Sequence, residues 1–169
     1  MDLSIIIVNW NTWKVLRGCL ISIKDTSGKL KVEIFVVDND SSDGSRELIR
    51  KEFPDVHLIN SGGNLGFAKA NNLAIPHAKA PYILFLNPDT IVHPDAMRKM
   101  RDFLDDHRDT GVVSCRITDE TGVVAPLPIQ TEATPFKRFL IQIFFAQTSA
   151  SIIGKMLPSQ NPDRSGYVR

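Results

Sequence analysis

Five short apolar runs, at residues 4–8, 32–37, 56–59, 82–86 and 112–115, are rich in Ile, Val and Leu, and each ends in a polar turn. Such runs predict strands buried on both faces. Between them, Trp13, Leu16, Leu20 and Ile23 recur at helical spacing, as do Phe67, Ala70 and Ala74, and then Met97, Met100 and Leu104. Strand and helix alternate, which predicts an α/β fold: a Rossmann-like, mostly parallel sheet flanked by helices.

Two helix starts are legible. Ser42, followed by Asp43 and a run through Glu47 to Arg50, predicts an N-cap with acids near the positive end of the helix dipole. Pro94 and Asp95 predict the first turn of a later helix, where proline forfeits only a hydrogen bond that the start lacks anyway. These starts place the preceding loops at the C-terminal ends of the strands, the edge at which open parallel sheets bind ligands.

Beyond about residue 116 the regularity fades. Pro126, Pro128 and Pro135 break up 123–135 into a loop or irregular edge strand, and Asp119-Glu120-Thr121-Gly122 reads as a hairpin tip. Residues 136–157 are strongly apolar, with Phe136, Phe139, Leu140, Ile143 and Phe144 at helical spacing beside Lys137 and Arg138. A helix docked on the sheet and an interfacial or partner-binding helix both fit. The organisation expected is therefore an α/β domain over 1–125 and an irregular apolar extension over 126–169.

Composition narrows the function. The 169 residues are 43% hydrophobic and 23% charged, as in an ordinary soluble domain. Twenty Lys and Arg against 19 Asp and Glu give no electrostatic footprint for nucleic acid. Cys19 and Cys115 stand far apart without zinc-ligand spacing, so free thiols and a cytoplasmic location are expected. No apolar stretch reaches the roughly 18 residues that span a bilayer. Contact with the inner face of a membrane would be peripheral, through 136–157.

Candidate chemistry lies in four polar segments. Asn9-Trp10-Asn11-Thr12 follows the first predicted strand, where a dinucleotide-binding fold would carry a glycine fingerprint. With no glycine there, NAD and FAD are disfavoured, whereas the Asn9 and Asn11 amides can bond a base or ribose, or cap the turn. Asp38, heading Asp38-Asn39-Asp40-Ser41-Ser42-Asp43-Gly44, can accept from a ribose hydroxyl or a pyrimidine N–H, and Asp43 reads as turn and cap chemistry. The segment from Gly62 to Asn72 joins a strand to a helix. Its glycines and the new helix start suit an anion, and Gly66, Ala70 and Ala74 suit tight packing equally well. In Asn87-Pro88-Asp89-Thr90, Pro88 stiffens a short connection on which Asp89 can ligate a hard divalent cation; the same tripeptide also makes an ordinary turn.

Taken in order, residues 4–11, 36–45, 64–72 and 86–90 resemble family 2 glycosyltransferases, inverting enzymes of the GT-A fold, and in particular the rhamnosyltransferase-like branch. The resemblance covers about residues 3–125. It implies a UDP- or dTDP-linked sugar donor, held with Mg²⁺ or Mn²⁺, and a glycan or lipid-linked acceptor, as in polysaccharide assembly. Asp38 then matches the acid that contacts the base. Asp89 matches the metal-binding acid of the D-x-D motif, with Asn87 in place of its first aspartate. Asn9, Asn11, Asn64, Gly66 and Asn71 complete the implied donor-binding set. The family's general base belongs to a later acidic motif, expected beyond Arg169, so the chain reads as a donor-binding half. A sugar nucleotidyltransferase and a non-catalytic interaction module are the alternatives.

Overall fold

Leu3–Asn9 forms strand β1, buried at all seven positions, as an uninterrupted apolar run demands. The structure is a computed structural model that describes residues 1–119 and 121–124. Within its first compact unit, Met1–Val113, the other strands are β2 (Val32–Asp38), β3 (His57–Asn60) and β4 (Ile83–Leu86). All pairings are parallel and the order is β3-β2-β1-β4, so β1 is central. The crossovers carry α1 (Trp13–Thr26), α2 (Ser45–Glu52) and α3 (Phe67–Ala74), and α4 (Ala96–Asp106) follows β4. The expected α/β architecture is thus present.

Alternation along the strands sorts the core into two layers. Leu3, Ile5, Ile7, Ile34 and Val36 pack against Leu16, Leu20 and Ile23 of α1, Ile49 of α2 and Met97 of α4. Ile6, Val8, Phe35 and Val37 face Ala70 and Ala74 of α3. Each fully buried aliphatic side chain contributes about 1.5–3 kcal/mol, so α1 is the principal clamp on the first face. The small side chains of Ala70 and Ala74 let α3 approach the second.

One buried charge ties β1 to β2 and to the segment before β4. Glu33 accepts from Ser4 Oγ at 2.6 Å and from the Lys79 and Ala80 amides at 2.6 and 3.3 Å. Burial alone would raise its pKa, but these donors, with the Lys79 charge, hold the carboxyl below its ordinary 4.5.

Several boundaries differ from expectation. Helix α2 begins at Ser45, three residues after Ser42, and the carboxylate that accepts from its first amide belongs to Asp43. Helix α4 begins two residues after Pro94, because Asp95 adopts φ 66°. Residues 112–115 form no strand. A β-branched run becomes a strand only beside a ladder partner, and among the described residues it has none; Val112 is 87% exposed.

The second unit begins at Ser114. Its described part holds the expected hairpin tip: Thr118 and Val124 form an antiparallel bridge, and Asp119 Oδ1 accepts from the Thr121 and Val123 amides. The segment 136–157 lies outside the described residues. No described helix is long and apolar enough to cross a membrane.

Candidate functional site

Asn9 and Asp38 are register partners at the ends of β1 and β2, while Leu86, the last residue of β4, lies beside Ile7. The loops after β2, β1 and β4 therefore leave one edge of the sheet side by side. With about 4.8 Å between strands, the outer two start roughly 10 Å apart.

Asp38 is the knot of this rim. Its carboxylate is fully buried, accepts from Asn9 Nδ2 at 3.1 Å and the Ser41 amide at 3.2 Å, and pairs with Arg46 Nε at 3.3 Å. Asn9, also fully buried, donates to Ser41 Oγ at 2.9 Å and accepts from Thr12 Oγ1 at 2.7 Å. Both side chains thus shape the rim from inside.

The loops after β1 and β2 are stapled to each other. Asn11 Oδ1 accepts the Ser42 amide, and Ser41 Oγ accepts the Asn11 amide at 3.0 Å. Asp43 accepts from Trp13 N at 3.0 Å through Oδ2 and from Ser45 N at 3.1 Å through Oδ1, so one carboxylate serves the starts of α1 and α2. Burial tends to raise the Asp43 pKa, but the Ser45 hydroxyl and the Trp13 and Ser45 amides bring it below the usual range. Asn11 (φ 55°) and Asp40 (φ 72°) occupy the left-handed region, which asparagine and aspartate tolerate better than other side chains.

The third loop joins through Asn39, which donates to Asn64 Oδ1 at 2.8 Å and accepts the Leu65 amide at 2.9 Å. Asn64 Oδ1 also takes the Gly66 amide at 3.1 Å. Gly66, at φ 75°, opens α3; a Cβ there would meet open space, so backbone conformation rather than packing calls for glycine. On α3, Asn71 donates to the Phe67 carbonyl at 2.9 Å, and its buried Oδ1 has no partner among the described residues.

After β4, Asn87 and Asp89 are exposed. Thr90 N–H donates to the Asn87 carbonyl at 3.2 Å, closing a tight turn around Asp89. Cys19 of α1 lies fully buried beneath; burial, followed by the Asp89 charge, pushes its thiol up to about 12 despite an opposing hydrogen bond from the Thr90 backbone. Among the described residues the Asp89 side chain has no hydrogen-bond or ion-pair partner, and no three His, Cys, Asp or Glu side chains gather to hold an ion. The exposed Asp89 carboxylate beside Asn87 is a hard-oxygen donor that could hold a divalent cation whose remaining positions are filled by water and phosphate oxygens.

The residues singled out in the sequence thus divide. Asn11, Asn64, Gly66, Asn87 and Asp89 reach the surface of the rim, whereas Asn9, Asp38 and Asn71 lie beneath it. Trp10, 55% exposed between Asn9 and Asn11, belongs with the first group and was not singled out. Its signal was a large aromatic side chain in a polar turn at a strand end.

The sequence model described as Glycosyl transferase family 2 matches residues 4–158. The chain belongs to glycosyltransferase family 2. A family relative, the low-salt glycan biosynthesis hexosyltransferase Agl10 of Haloferax volcanii, is 31% identical over 140 residues, 79% of this chain and 41% of that protein. The crystal structure of Staphylococcus aureus TarS residues 1–349 superposes with a TM-score of 0.65 at 23% identity, covering 75% of this chain and 38% of that one. This places the fold among GT-A glycosyltransferases. The mannosyltransferase PcManGT from Pyrobaculum calidifontis, solved with GDP-Man and Mn²⁺, superposes with a TM-score of 0.62 at 26% identity over 68% of this chain and 35% of its own. The chain spans about two fifths of the length of Agl10 and about a quarter of that of full-length TarS.

Proposed function

We propose that this chain supplies the donor-binding part of a glycosyltransferase. It would bind a nucleoside-diphosphate sugar, UDP- or dTDP-linked, along the rim formed by the loops after β1, β2, β3 and β4. The reading rests above all on Asp89, an exposed carboxylate without a protein partner among the described residues, on the same sheet edge as the Asn9–Asp38 knot. PcManGT, solved with a sugar nucleotide and Mn²⁺, lends support from within the same fold.

The roles follow from accessibility. Asp89 would hold Mg²⁺ or Mn²⁺, with Asn87 beside it. The cation, when bound, neutralises charge on the departing diphosphate. Trp10 offers a flat apolar face for the base, and Asn11 and Asn64 offer side-chain amides to base or ribose. The Gly66 turn and the start of α3 offer backbone N–H groups to phosphate. Asp38, Asn9 and Asn71 keep these groups in place from below. Transfer would proceed with inversion, by direct displacement at the anomeric carbon, onto a glycan or lipid-linked hydroxyl. No described rim residue is assigned the role of accepting the acceptor's proton. Family membership speaks for glycosyl rather than nucleotidyl transfer.

Calorimetric titration of the chain with UDP, dTDP and GDP, each with and without Mn²⁺, tests this. The expected result is binding of UDP or dTDP that tightens with the cation. Equal affinity for all three, unaffected by Mn²⁺, would refute both the base preference and the cation site.

A further inference from the structure

The loop that carries Asp89 is fixed less by its own turn than by α1. Val92 N–H donates to Ser22 Oγ at 3.0 Å, and the Ser22 hydroxyl donates in turn to the Cys19 carbonyl at 2.7 Å, so both capacities of that hydroxyl are used. At the other foot of the loop, Cys19 Sγ lies 3.8 Å from the Asn87 carbonyl, a weak thiol contact. Val92 itself is buried in the core beside α1.

The Asp89 side chain has no hydrogen bond of its own among the described residues, so its aim is inherited from the backbone on either side. Of the two feet, the Ser22–Val92 bond is the stronger, being an N–H···O contact of ordinary length to a hydroxyl held by its own second bond. Ser22 is only partly buried. Losing its hydroxyl therefore need not disturb the core.

We propose that Ser22 is a positioning residue for the cation-binding loop, fixing the Asn87–Asp89 turn on α1 so that the Asp89 carboxylate meets a divalent ion and the donor's diphosphate together. The inference rests on the donor-site reading above and adds a residue outside the rim.

The test compares Ser22→Ala and Ser22→Thr with the parent chain by calorimetric titration of UDP over a range of Mn²⁺ concentrations and without the metal. Thermal melting and amide exchange at Val92 are followed in parallel. Ser22→Ala is expected to weaken Mn²⁺-dependent UDP binding about five-fold, the equivalent of one ordinary hydrogen bond. Metal-free UDP binding stays unchanged, Val92 exchanges faster, and Ser22→Thr, which keeps the hydroxyl, regains the parent's behaviour. Unaltered Mn²⁺ dependence in Ser22→Ala overturns the positioning role, as does a parallel loss of metal-free binding, which would mark Ser22 as merely structural. If the parent itself shows no Mn²⁺ dependence, the cation site fails first and the inference falls with it.

Discussion

Asn9 Nδ2 and Asp38 Oδ1 meet at 3.1 Å where β1 and β2 end in register, and solvent reaches neither side chain. A buried carboxylate joined to an amide and to the Arg46 guanidinium holds two loops at a fixed separation, so the pair is coupled energetically as well as spatially. Asp38→Ala and Asn9→Ala are each expected to lower unfolding free energy by about 1–3 kcal/mol. The double variant should fall short of the sum by about 1 kcal/mol. Urea denaturation of the four proteins measures this, and strict additivity would show that the contact carries no coupling.

Asp89→Ala should behave in the opposite manner. An exposed side chain without described partners contributes little to folding, so the unfolding free energy should change by less than about 0.5 kcal/mol. Mn²⁺-dependent UDP binding should disappear. Retained metal dependence in this variant would move the cation elsewhere.

Trp10→Ala probes the base. Stacking on an exposed indole is worth about 1–3 kcal/mol, so UDP binding should weaken at least five-fold with or without metal while stability stays unchanged. In the parent chain, UDP should change the tryptophan fluorescence, and Trp10→Phe should retain most of the affinity. If the alanine variant binds UDP as well as the parent, the base lies away from this turn.

Much of this was legible in the amino-acid order. Residues 4–8 announce a central strand because a parallel strand covered on both faces has no room for alternation, and Leu16, Leu20 and Ile23 announce the helix that covers one of those faces. Residues 112–115 misled because β-branched composition records local preference, whereas a ladder requires a neighbour. At the site, residue chemistry was readable but accessibility was not. Whether an asparagine meets a ligand or another loop depends on bonds such as Asn9–Asp38 and Asn11–Ser42, which join residues about thirty positions apart.

Acid should expose the role of Glu33. Its carboxyl is held below 4.5 in the folded protein, so on acidification the unfolded chain takes up the proton first. The stabilisation from this group is present above that value and is lost as pH falls through the folded pKa. Glu33→Gln should cost about 1–2 kcal/mol at neutral pH and make the loss of stability below pH 4.5 shallower. Melting curves between pH 3 and pH 7 provide the comparison, and identical pH profiles for the two proteins would assign the acid sensitivity to other carboxyls.

The two thiols should differ sharply. Cys19, fully buried and with its pKa pushed up to about 12, should resist a thiolate-selective reagent in the native protein, whereas the half-buried Cys115 should react. Ellman titration should count one group before addition of denaturant and two afterwards. A second fast thiol in the native protein would mean that α1 lifts readily away from the turn beneath which Cys19 lies.

Asp43, by serving the starts of α1 and α2 at once, also limits how such a domain can diversify. An insertion or deletion in either connection would pull the carboxylate off one of its amides and leave the start of that helix without its acceptor. New ligand preferences are therefore more readily reached by exchanging side chains on an unaltered pair of loops than by lengthening them.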